Sequence, residues 1–496
     1  MISIRDVERH RLAVSGSTTK AHKAQLGQYF TPASVASFMA SLFSGLESDY
    51  VSLLDAGAGN GILTAAFLER WLAESGSESY LSATSFEIDP AVKIHLERTI
   101  AAYGERAEYC NRSLTSEIVE GDFIEEACHL ILTSEDGIFT HAILNPPYKK
   151  IRSDSVHREQ LRIAGIETVN LYAAFVALSI LLLRPDGQIV AIIPRSFCNG
   201  PYYLPFRRLL LEETAIKQIH LFTARDRAFK DDGVLQENVI VHLVKGESFD
   251  RVTLSTSSDG EFSDLMTRSV LTSGIIRPDD PEYFIRIPDS KSSTSLQAIE
   301  RANQSLSSLG LEVSTGPVVD FRLKEYLRHD MTEGCVPLLY PGHFEHHRLN
   351  WPIAGWRKPN AIVRASATER WLYPRGCYVV VRRFSSKEER RRIVASVVLP
   401  DELPSGAVGF ENHLNVFHKE RSGLPESLAF GLMAYLNSSP VDGYFREFNG
   451  HTQVNATDLR SLPYPPRQVL TAIGERVRND GPLDDTTIDS IVGNYL

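Results

Sequence analysis

Short apolar runs alternate with longer segments of helical periodicity along the first half of the chain. Residues 51–55 form a compact apolar run that predicts a buried strand, and residues 62–72 are apolar at helical spacing. We predict further strands at 81–87, 118–122, 139–144, 188–193, 216–222 and 238–244, and further helices at 33–43, 91–103, 171–183 and 204–213. This alternation, opened by a strand, a glycine loop and a helix, predicts a doubly wound, Rossmann-like α/β fold.

The pattern changes in the second half of the chain. Residues 247–310 are rich in Ser, Thr and Asp, which indicates a connection between domains. Beyond residue 311 the alternation is lost, Pro, aromatic and basic residues become frequent, and only a few strands and one clear helix are predicted. We therefore predict a lead-in over 1–24, an α/β domain over 25–246, a connector over 247–310 and a mixed α+β domain over 311–496.

Composition places the chain among ordinary globular proteins. The longest apolar runs fall short of the roughly 20 residues that span a membrane, and the first residues have no signal-peptide core. We therefore expect a cytoplasmic protein with no membrane partner. The five cysteines are scattered without a C-x-x-C pair, which argues against a disulfide framework and against a zinc cluster. No metal site is predicted.

Positive charge is concentrated in one part of an acidic protein. The chain carries a net charge of −10, yet residues 320–392 hold fifteen Lys or Arg against eight Asp or Glu. Such a region is either a phosphate-binding surface or a solvated face, because charge alone speaks only to non-specific attraction. The densest part of this region contains Arg382, Arg383, Arg390, Arg391 and Arg392.

The first chemical motif is the run Asp55-Ala56-Gly57-Ala58-Gly59-Asn60-Gly61 after the first predicted strand. Glycines let the backbone approach a ligand closely, and the helix that follows offers unpaired N–H groups. The spacing differs from the G-x-G-x-x-G of dinucleotide binders, and no Lys-Ser/Thr pair follows as in a P-loop. The alternative is a tight turn that binds nothing.

Two acidic residues follow at the ends of later predicted strands. Glu87 is placed to accept both hydroxyls of a ribose, and Ile88 to pack on an adenine face. Asp122 is placed to accept a hydrogen bond from the exocyclic amine of that adenine, with Phe123 beside the ring. For Asp122 the alternative is a helix cap.

Asn145-Pro146-Pro147-Tyr148 ends the strand predicted at 139–144. The side-chain oxygen of Asn145 and the carbonyl of Pro146 can accept the two N–H bonds of an exocyclic amine. The nitrogen lone pair then leaves conjugation with the ring and can attack a sulfonium methyl group. Tyr148 would stack on the extruded base. The alternative is a stiff turn at the end of a strand.

These residues together resemble the amino-methylating DNA methyltransferases of the gamma class, in which a motif for the methionine end of S-adenosylmethionine comes first. Residues 28–32 resemble that motif, which implies Tyr29 and Thr31 as cofactor contacts, with Thr31 on the methionine carboxylate. The resemblance implies the same cofactor contacts as above, at Asp55, Gly57, Gly59, Glu87, Ile88, Asp122 and Phe123, and catalytic roles at Asn145, Pro146 and Tyr148. It also implies Phe229 as a second stacking face, although an Asp-Asp-Gly insertion follows it and a core phenylalanine is the alternative.

The second half resembles the recognition region of the Eco57I/TaqI-like enzymes. The similar pieces are 314–316, 411–415, 436–438 and 449–459, and the total length and layout suggest the PstI/BsuBI-like modification methylases. The polar loop with His451, Thr452 and Gln453 is suited to base edges or to phosphates. With the five arginines, these three residues form the predicted DNA-binding set.

The resemblance implies a site-specific adenine-N6 methyltransferase of a type II restriction-modification system, which flips an adenine out of double-stranded DNA. We expect a monomer and a possible cognate restriction endonuclease that acts separately, since we identify no nuclease motif. N4-cytosine methylation needs the same chemistry and stays an alternative. Methylation of rRNA or of protein glutamine, and a non-enzymatic specificity protein with a relic α/β domain, are weaker alternatives.

Overall fold

The chain folds into two compact units. The computed structural model describes residues 2–17, 30–133, 137–223, 237–288, 299, 301–386, 388–450, 452–479 and 484–496, without the side chains of 13–17 and 479. Unit 1 spans Met1–Ile285 and unit 2 spans Arg286–Leu496. No helix within the described residues is both long enough and apolar enough to cross a membrane.

Unit 1 is built on a nine-stranded sheet with the order β3-β2-β1-β4-β5-β7-β6-β8-β9. Its strands are β1 (Tyr50–Ala56), β2 (Tyr80–Phe86), β3 (Ser113–Val119), β4 (Phe139–Leu144), β5 (Leu183–Pro194), β6 (Thr214–Phe222), β7 (Asn238–Lys245), β8 (Arg251–Ser257) and β9 (Met266–Leu271). The first five are parallel, and β7 runs antiparallel between β5 and β6. The strand order reverses between β1 and β4, which is the switch point where such sheets bind ligands.

Helices separate most of these strands along the chain. They are α1 (Ile4–Ser17), α2 (Ala33–Ser41), α3 (Ile62–Glu74), α4 (Pro90–Tyr109), α5 (Phe123–Thr133), α6 (Val156–Ile163), α7 (Leu171–Leu182), α8 (Leu204–Glu213) and the single turn α9 (Thr272–Ile275). The start of α4 has a local cause, because Asp89 accepts a hydrogen bond from the amide of Ala91 and Pro90 occupies the first helical position. The main core of the unit includes Leu53, Phe67, Trp71 and Ile143, all fully buried.

The predicted α/β fold is confirmed, and most predicted elements match the structure within two residues. The strand predicted at 118–122 lies earlier, at Ser113–Val119, because it is an edge strand in which Ser, Thr and Glu interrupt the apolar pattern. The strand predicted at 188–193 begins earlier, at Leu183, because residues 183–187 join it as an irregular stretch between the pairs Phe139–Leu183 and His141–Gln188.

The predicted connector needs a correction. Residues 251–271 form β8 and β9 of the main sheet, so the first unit continues to Ile285 rather than ending at residue 246. The Ser and Thr content that suggested a connector fits edge strands equally well, because Thr favours a pleated, half-exposed surface.

Unit 2 is a mixed α+β unit, as predicted for the C-terminal domain. Its strands are β10 (Glu312–Thr315), β11 (Leu327–Arg328), β12 (Cys335–Leu339), β13 (Phe344–Glu345), β14 (Arg348–Leu349), β15 (Ala361–Val363), β16 (Leu372–Pro374), β17 (Tyr378–Arg382), β18 (Ala395–Val398), β19 (Ala407–Phe410) and β20 (Leu414–His418). Its helices are α10 (Glu426–Leu436), α11 (Ser439–Phe448), α12 (Ala456–Arg460), α13 (Arg467–Asn479) and α14 (Asp485–Gly493). The strands form sheets of four, five and two strands.

Candidate active site

The predicted cofactor and catalytic motifs meet at one edge of the unit 1 sheet. The glycine loop follows β1, Glu87 follows β2, Asp122 follows β3 and Asn145 follows β4. Because these four strands are parallel, their carboxyl ends lie on the same edge, on both sides of the switch point. The parallel arrangement of these strands therefore brings four motifs that are distant in the sequence together in one cleft.

The glycine loop forms the floor of this cleft. Gly57, Gly59 and Gly61 all have positive φ values, of 81°, 58° and 83°, which favour glycine over residues with a side chain. A methyl group added at Gly61 would come within 2.8 Å of Leu96, so this position also allows close packing of α3 against α4. At Gly57 and Gly59 the nearest atoms to such a group belong to the rings of Phe175 and Phe30. Both rings line the cleft.

Glu87 holds the loop in place while lining the cleft. Its Oε2 accepts a hydrogen bond of 2.8 Å from the amide of Gly59, and its Oε1 accepts one of 2.7 Å from the amide of Asp89. Burial raises the pKa of this carboxyl. A carboxylate oxygen has more than one acceptor position, so Glu87 can also accept from the hydroxyls of a ribose.

Asp55 has a different place from the one that the motif implied. Its side chain is fully buried behind the loop, where Oδ2 accepts a 2.6 Å hydrogen bond from the hydroxyl of Thr64. Burial raises the pKa of Asp55 to about 7. Asp55 is not among the described residues that line the cleft. The predicted direct contact of Asp55 with the cofactor is therefore not supported, and its carboxyl bonds instead to α3 at Thr64.

Asp122 is both a helix cap and a cleft residue. Its Oδ1 accepts a hydrogen bond of 2.8 Å from the amide of Ile124 at the start of α5. Its Oδ2 lies 2.7 Å from Nε2 of His157, which also lines the cleft. The sequence left open whether Asp122 is a helix cap or a ligand contact. It can be both, because its two oxygens face different partners.

The side chain of Asn145 is oriented by Thr31. Nδ2 of Asn145 donates a hydrogen bond of 3.0 Å to Oγ1 of Thr31, and both residues line the cleft. With Nδ2 engaged, Oδ1 is the acceptor that the amide can present to an incoming amine. Thr31 therefore connects the motif expected to hold the methionine end of the cofactor with the motif expected to hold the substrate.

Tyr148 is held by its hydroxyl and its ring. The hydroxyl donates a hydrogen bond of 3.1 Å to the carbonyl oxygen of Ile192 in β5. The ring packs edge-on against Tyr172, with centroids 6.3 Å apart and planes at 82°. A ring restrained in this way can offer a fixed stacking face at little entropic cost.

Several lining residues were not predicted from the sequence. The unpredicted lining residues include Phe30, Leu63, Lys149, His157, Leu171 and Phe175. Phe30 lies inside the first motif, and its position next to Thr31 is a signal that could have identified it. His157 carries no such signal, because only the placement of α6 brings it to Asp122. Predictions at Tyr29, Phe229 and His451 lie outside the described residues.

The cleft fits S-adenosylmethionine. Ile88 lines it as a large apolar side chain that is 53% exposed, which suits packing against an adenine ring. Glu87 and Asp122 supply acceptors at the ends of two adjacent strands, and Phe123 is buried beside them. The glycine backbone gives close access for the rest of the cofactor. When bound, the cofactor supplies an electrophilic methyl group on a sulfonium centre.

The predicted arginines of unit 2 fall into two groups. Arg392 is buried, and its guanidinium donates hydrogen bonds to Oγ of Ser385 and Oδ1 of Asn449. Arg391 is largely buried and donates to Ser439 and Asp489. Both arginines hold the unit together, so we remove Arg392 from the predicted DNA-binding set and give Arg391 a structural role.

Arg390 and Arg382 are more accessible than Arg391 and Arg392, and Arg383 is half-buried. Arg390 is 73% exposed and pairs with Asp485, and Arg382 lies 3.4 Å from Glu389. Arg383 donates a hydrogen bond to the carbonyl of Asn412. These three arginines remain candidates for phosphate contacts, which Arg392 is not.

The fold and the site together define a methyltransferase dependent on S-adenosylmethionine. A sequence model of the Eco57I restriction-modification methylase family matches residues 68–229. The chain is 49% identical to the type II methyltransferase M.BsuBI of Bacillus subtilis, over 98% of both chains. It is 41% identical to M.PstI of Providencia stuartii, over 99% of this chain and 96% of that relative.

The chain therefore belongs to the family of type II methyltransferases that includes M.BsuBI and M.PstI, and it is a DNA methyltransferase of the restriction-modification type. The predicted resemblance is confirmed. Among solved structures, the type IIL restriction-modification enzyme MmeI in complex with DNA shares the fold. Its TM-score is 0.53, with 11% identity over 93% of this chain and 70% of that one.

Proposed function

We propose that this methyltransferase modifies the exocyclic N6 of adenine in double-stranded DNA. The observation that supports the proposal is the hydrogen bond from Asn145 Nδ2 to Thr31, because the amide then has Oδ1 as the acceptor that it can offer to a target amine. A base amine has two N–H donors, and Oδ1 of Asn145 with the carbonyl of Pro146 forms a matching pair of acceptors.

Catalysis then rests on positioning and on acceptors aimed at charge that develops in the transition state. The paired acceptors draw the amine nitrogen towards a tetrahedral geometry, so that its lone pair becomes available to the methyl carbon. The nitrogen would take the methyl group from the sulfonium sulfur, which would keep the electron pair of the broken bond, and the surplus proton on the nitrogen would pass to solvent. Tyr148 supplies a stacking face that offsets part of the few kcal/mol needed to take the base out of the duplex.

The two units have separate tasks in this proposal. Unit 1 carries the cofactor cleft and the catalytic motif. Unit 2 carries the similarity to the Eco57I/TaqI-like recognition region and the exposed arginines of the basic region, so we assign it DNA recognition. We expect a cytoplasmic monomer, because one methyl group is added to one strand in each event. A cognate restriction endonuclease would act separately.

A label-transfer experiment tests the proposal. The enzyme is incubated with S-adenosylmethionine carrying a tritiated methyl group and with duplex DNA, and the DNA is then digested to nucleosides. Label in N6-methyladenine is the expected result. Label in N4-methylcytosine would replace adenine by cytosine as the target, and label confined to RNA or to protein would refute the proposal.

A further inference from the structure

Three separate sequence segments of unit 2 lie side by side at its surface. The amide of Arg383 donates to the carbonyl of His413, at 2.8 Å, and the amide of Val454 donates to the carbonyl of Arg383, at 2.7 Å. The amide of Ser385 donates to the carbonyl of Thr452, at 3.1 Å. The segment 383–385 is therefore bonded on one side to 411–413 and on the other side to 452–454.

Two exposed side chains meet on this surface. Phe384 is 42% exposed, and its ring centroid lies 5.2 Å from that of His413. The side chain of His413 is 48% exposed. Phe384 also forms a backbone bridge with Gln453 of the polar loop. An exposed imidazole and an exposed aromatic ring thus lie close together, and the aromatic residue pairs through its backbone with a residue that has an amide side chain.

His413 is oriented by a buried carboxylate. Its Nδ1 lies 2.6 Å from Oε1 of Glu411, and its backbone amide donates a 2.9 Å hydrogen bond to Oε2. The side chain of Glu411 is fully buried. Burying a carboxylate has a large desolvation cost. Both of these hydrogen bonds join the buried carboxylate of Glu411 to the exposed residue His413. These hydrogen bonds fix the orientation of the His413 ring, which a surface histidine without a binding role does not require.

We propose that His413 makes a direct base contact in the recognition sequence, with Glu411 as its positioning residue. This proposal rests on the proposed function, because it takes duplex DNA as the substrate. With Nδ1 engaged by Glu411, Nε2 is the ring atom available to a ligand. A protonated Nε2 donates to guanine O6 or N7, and an unprotonated Nε2 accepts from the amino group of adenine or cytosine.

The surroundings favour a base edge over a phosphate as the partner. Phosphate contacts come mainly from Arg and Lys and carry no sequence information, whereas base edges are recognised by side chains with fixed hydrogen-bonding geometry. Phe384 offers an apolar surface of the kind that packs on a thymine methyl group, and Gln453 has the donor and acceptor pair that suits adenine.

The test compares His413→Ala and Glu411→Gln with His329→Ala, an exposed histidine of the same unit. Single-molecule sequencing of DNA from cells that express each enzyme defines the methylated motif. Values of kcat/KM are then measured on the wild-type motif and on duplexes in which each base pair of the motif is changed in turn. S-adenosylmethionine binding and the melting temperature of each variant establish that it is folded.

We expect His413→Ala to lower kcat/KM on the wild-type motif roughly ten- to hundredfold, the factor that one good base contact provides. Discrimination should be lost at one base-pair position, with the salt dependence of DNA binding unchanged. Glu411→Gln should weaken discrimination at the same position, and His329→Ala should behave as wild type. If His413→Ala is unfolded, His413→Gln replaces it, with a changed base preference at that position as the expected result.

Two outcomes overturn the proposal. One is an unchanged motif with unchanged rates in the folded His413 variant. The other is a uniform loss over all positions together with a smaller salt dependence, which identifies a phosphate contact. Neither outcome depends on which base receives the methyl group. A failure of this proposal can therefore be distinguished from a failure of the adenine-N6 proposal.

Discussion

In the proposed mechanism, the side chain of Asn145 serves both substrates of the reaction. Its amide nitrogen bonds to Thr31, in the motif expected to hold the methionine end of the cofactor. In the proposed mechanism, its oxygen accepts a hydrogen bond from the target amine. The residue therefore couples the position of the methyl donor with that of the acceptor, and a shift at Thr31 would move the catalytic acceptor.

Replacing Asn145 with Ala should lower kcat by at least about 100-fold, because the variant has no side-chain acceptor aimed at the transition state. The affinity for S-adenosylmethionine should fall far less than kcat, since Glu87 and Asp122 do not depend on this residue and only the bond to Thr31 is lost. Single-turnover methyl transfer and calorimetric titration with the cofactor measure the two effects. Near-normal turnover would mean that the amine is activated elsewhere.

Asp55 should make stability fall with rising pH. Burial raises its pKa in the folded state to about 7, well above the value of about 3.9 in the unfolded chain. The folded state thus binds a proton that the unfolded state lacks, and this contribution is lost as the pH rises through 7. Between pH 6 and pH 8 the loss amounts to about 1 kcal/mol.

The variant Asp55→Asn isolates this contribution, because its neutral amide has the same shape and does not titrate. Urea unfolding of both proteins at pH 6, 7 and 8 gives the comparison, in which the buried histidines contribute equally to both. The stability of wild type relative to the variant should decrease as the pH rises. A constant difference would contradict the raised pKa.

At the scale of elements, the centre of the unit 1 sheet carries an unusual number of buried histidines. His141 lies in β4, His220 in β6 and His242 in β7. Nε2 of His141 lies 3.0 Å from the carbonyl oxygen of Ser44, and Nε2 of His242 lies 3.1 Å from Oε1 of Gln188. Neutral imidazoles satisfy these contacts, and a charged ring would have to be buried.

Burial lowers the pKa of these histidines to about 4 for His141 and His220 and to about 3 for His242. Their pKa in the unfolded chain is about 6.5, so the unfolded state binds more protons below that pH. The stabilising contribution is present above pH 6.5 and is lost as the pH falls towards 4. At pH 5 each histidine should remove about 2 kcal/mol relative to pH 7.

Denaturant unfolding at pH 7 and pH 5 measures this loss. The variant His141→Gln should lose less free energy of unfolding over this interval than wild type does. The matched control His329→Gln changes an exposed histidine and should keep the wild-type pH dependence. Identical pH profiles for His141→Gln and wild type would refute the assignment.

The whole molecule is acidic, and a local excess of positive charge lies in part of unit 2. In the sequence, the three consecutive arginines at 390–392 form one cluster of positive charge. The structure separates them, because Arg392 is buried and Arg391 is bonded to Asp489, whereas Arg390 is 73% exposed. The surface available to phosphates is thus smaller than the sequence suggested.

Replacing Arg382, Arg383 and Arg390 together with Gln should weaken DNA binding and lower its salt dependence by roughly one unit of slope for each phosphate that the variant no longer neutralises. Fluorescence anisotropy at several salt concentrations gives the slope. Arg467→Gln, at an exposed arginine outside the basic region, is the control. A slope equal to that of wild type would assign the three arginines to a solvated surface.

The sequence by itself determined the α/β fold and most of the cofactor and catalytic motifs. Motif spacing was sufficient there, because parallel strands bring the residues after their carboxyl ends to one edge whatever the details of packing. Glu87, Asp122 and Asn145 needed no further information to be placed together.

Only the tertiary structure decided which side chains are available to ligands. Arg392 and Arg390 contribute equally to a count of charges, yet the side chain of Arg392 is enclosed by Ser385 and Asn449. His157 reaches Asp122 only through the placement of α6, which no local periodicity encodes. Burial and hydrogen-bond partners depend on residues distant in the chain, and for that reason chemistry could be predicted by motif but accessibility could not.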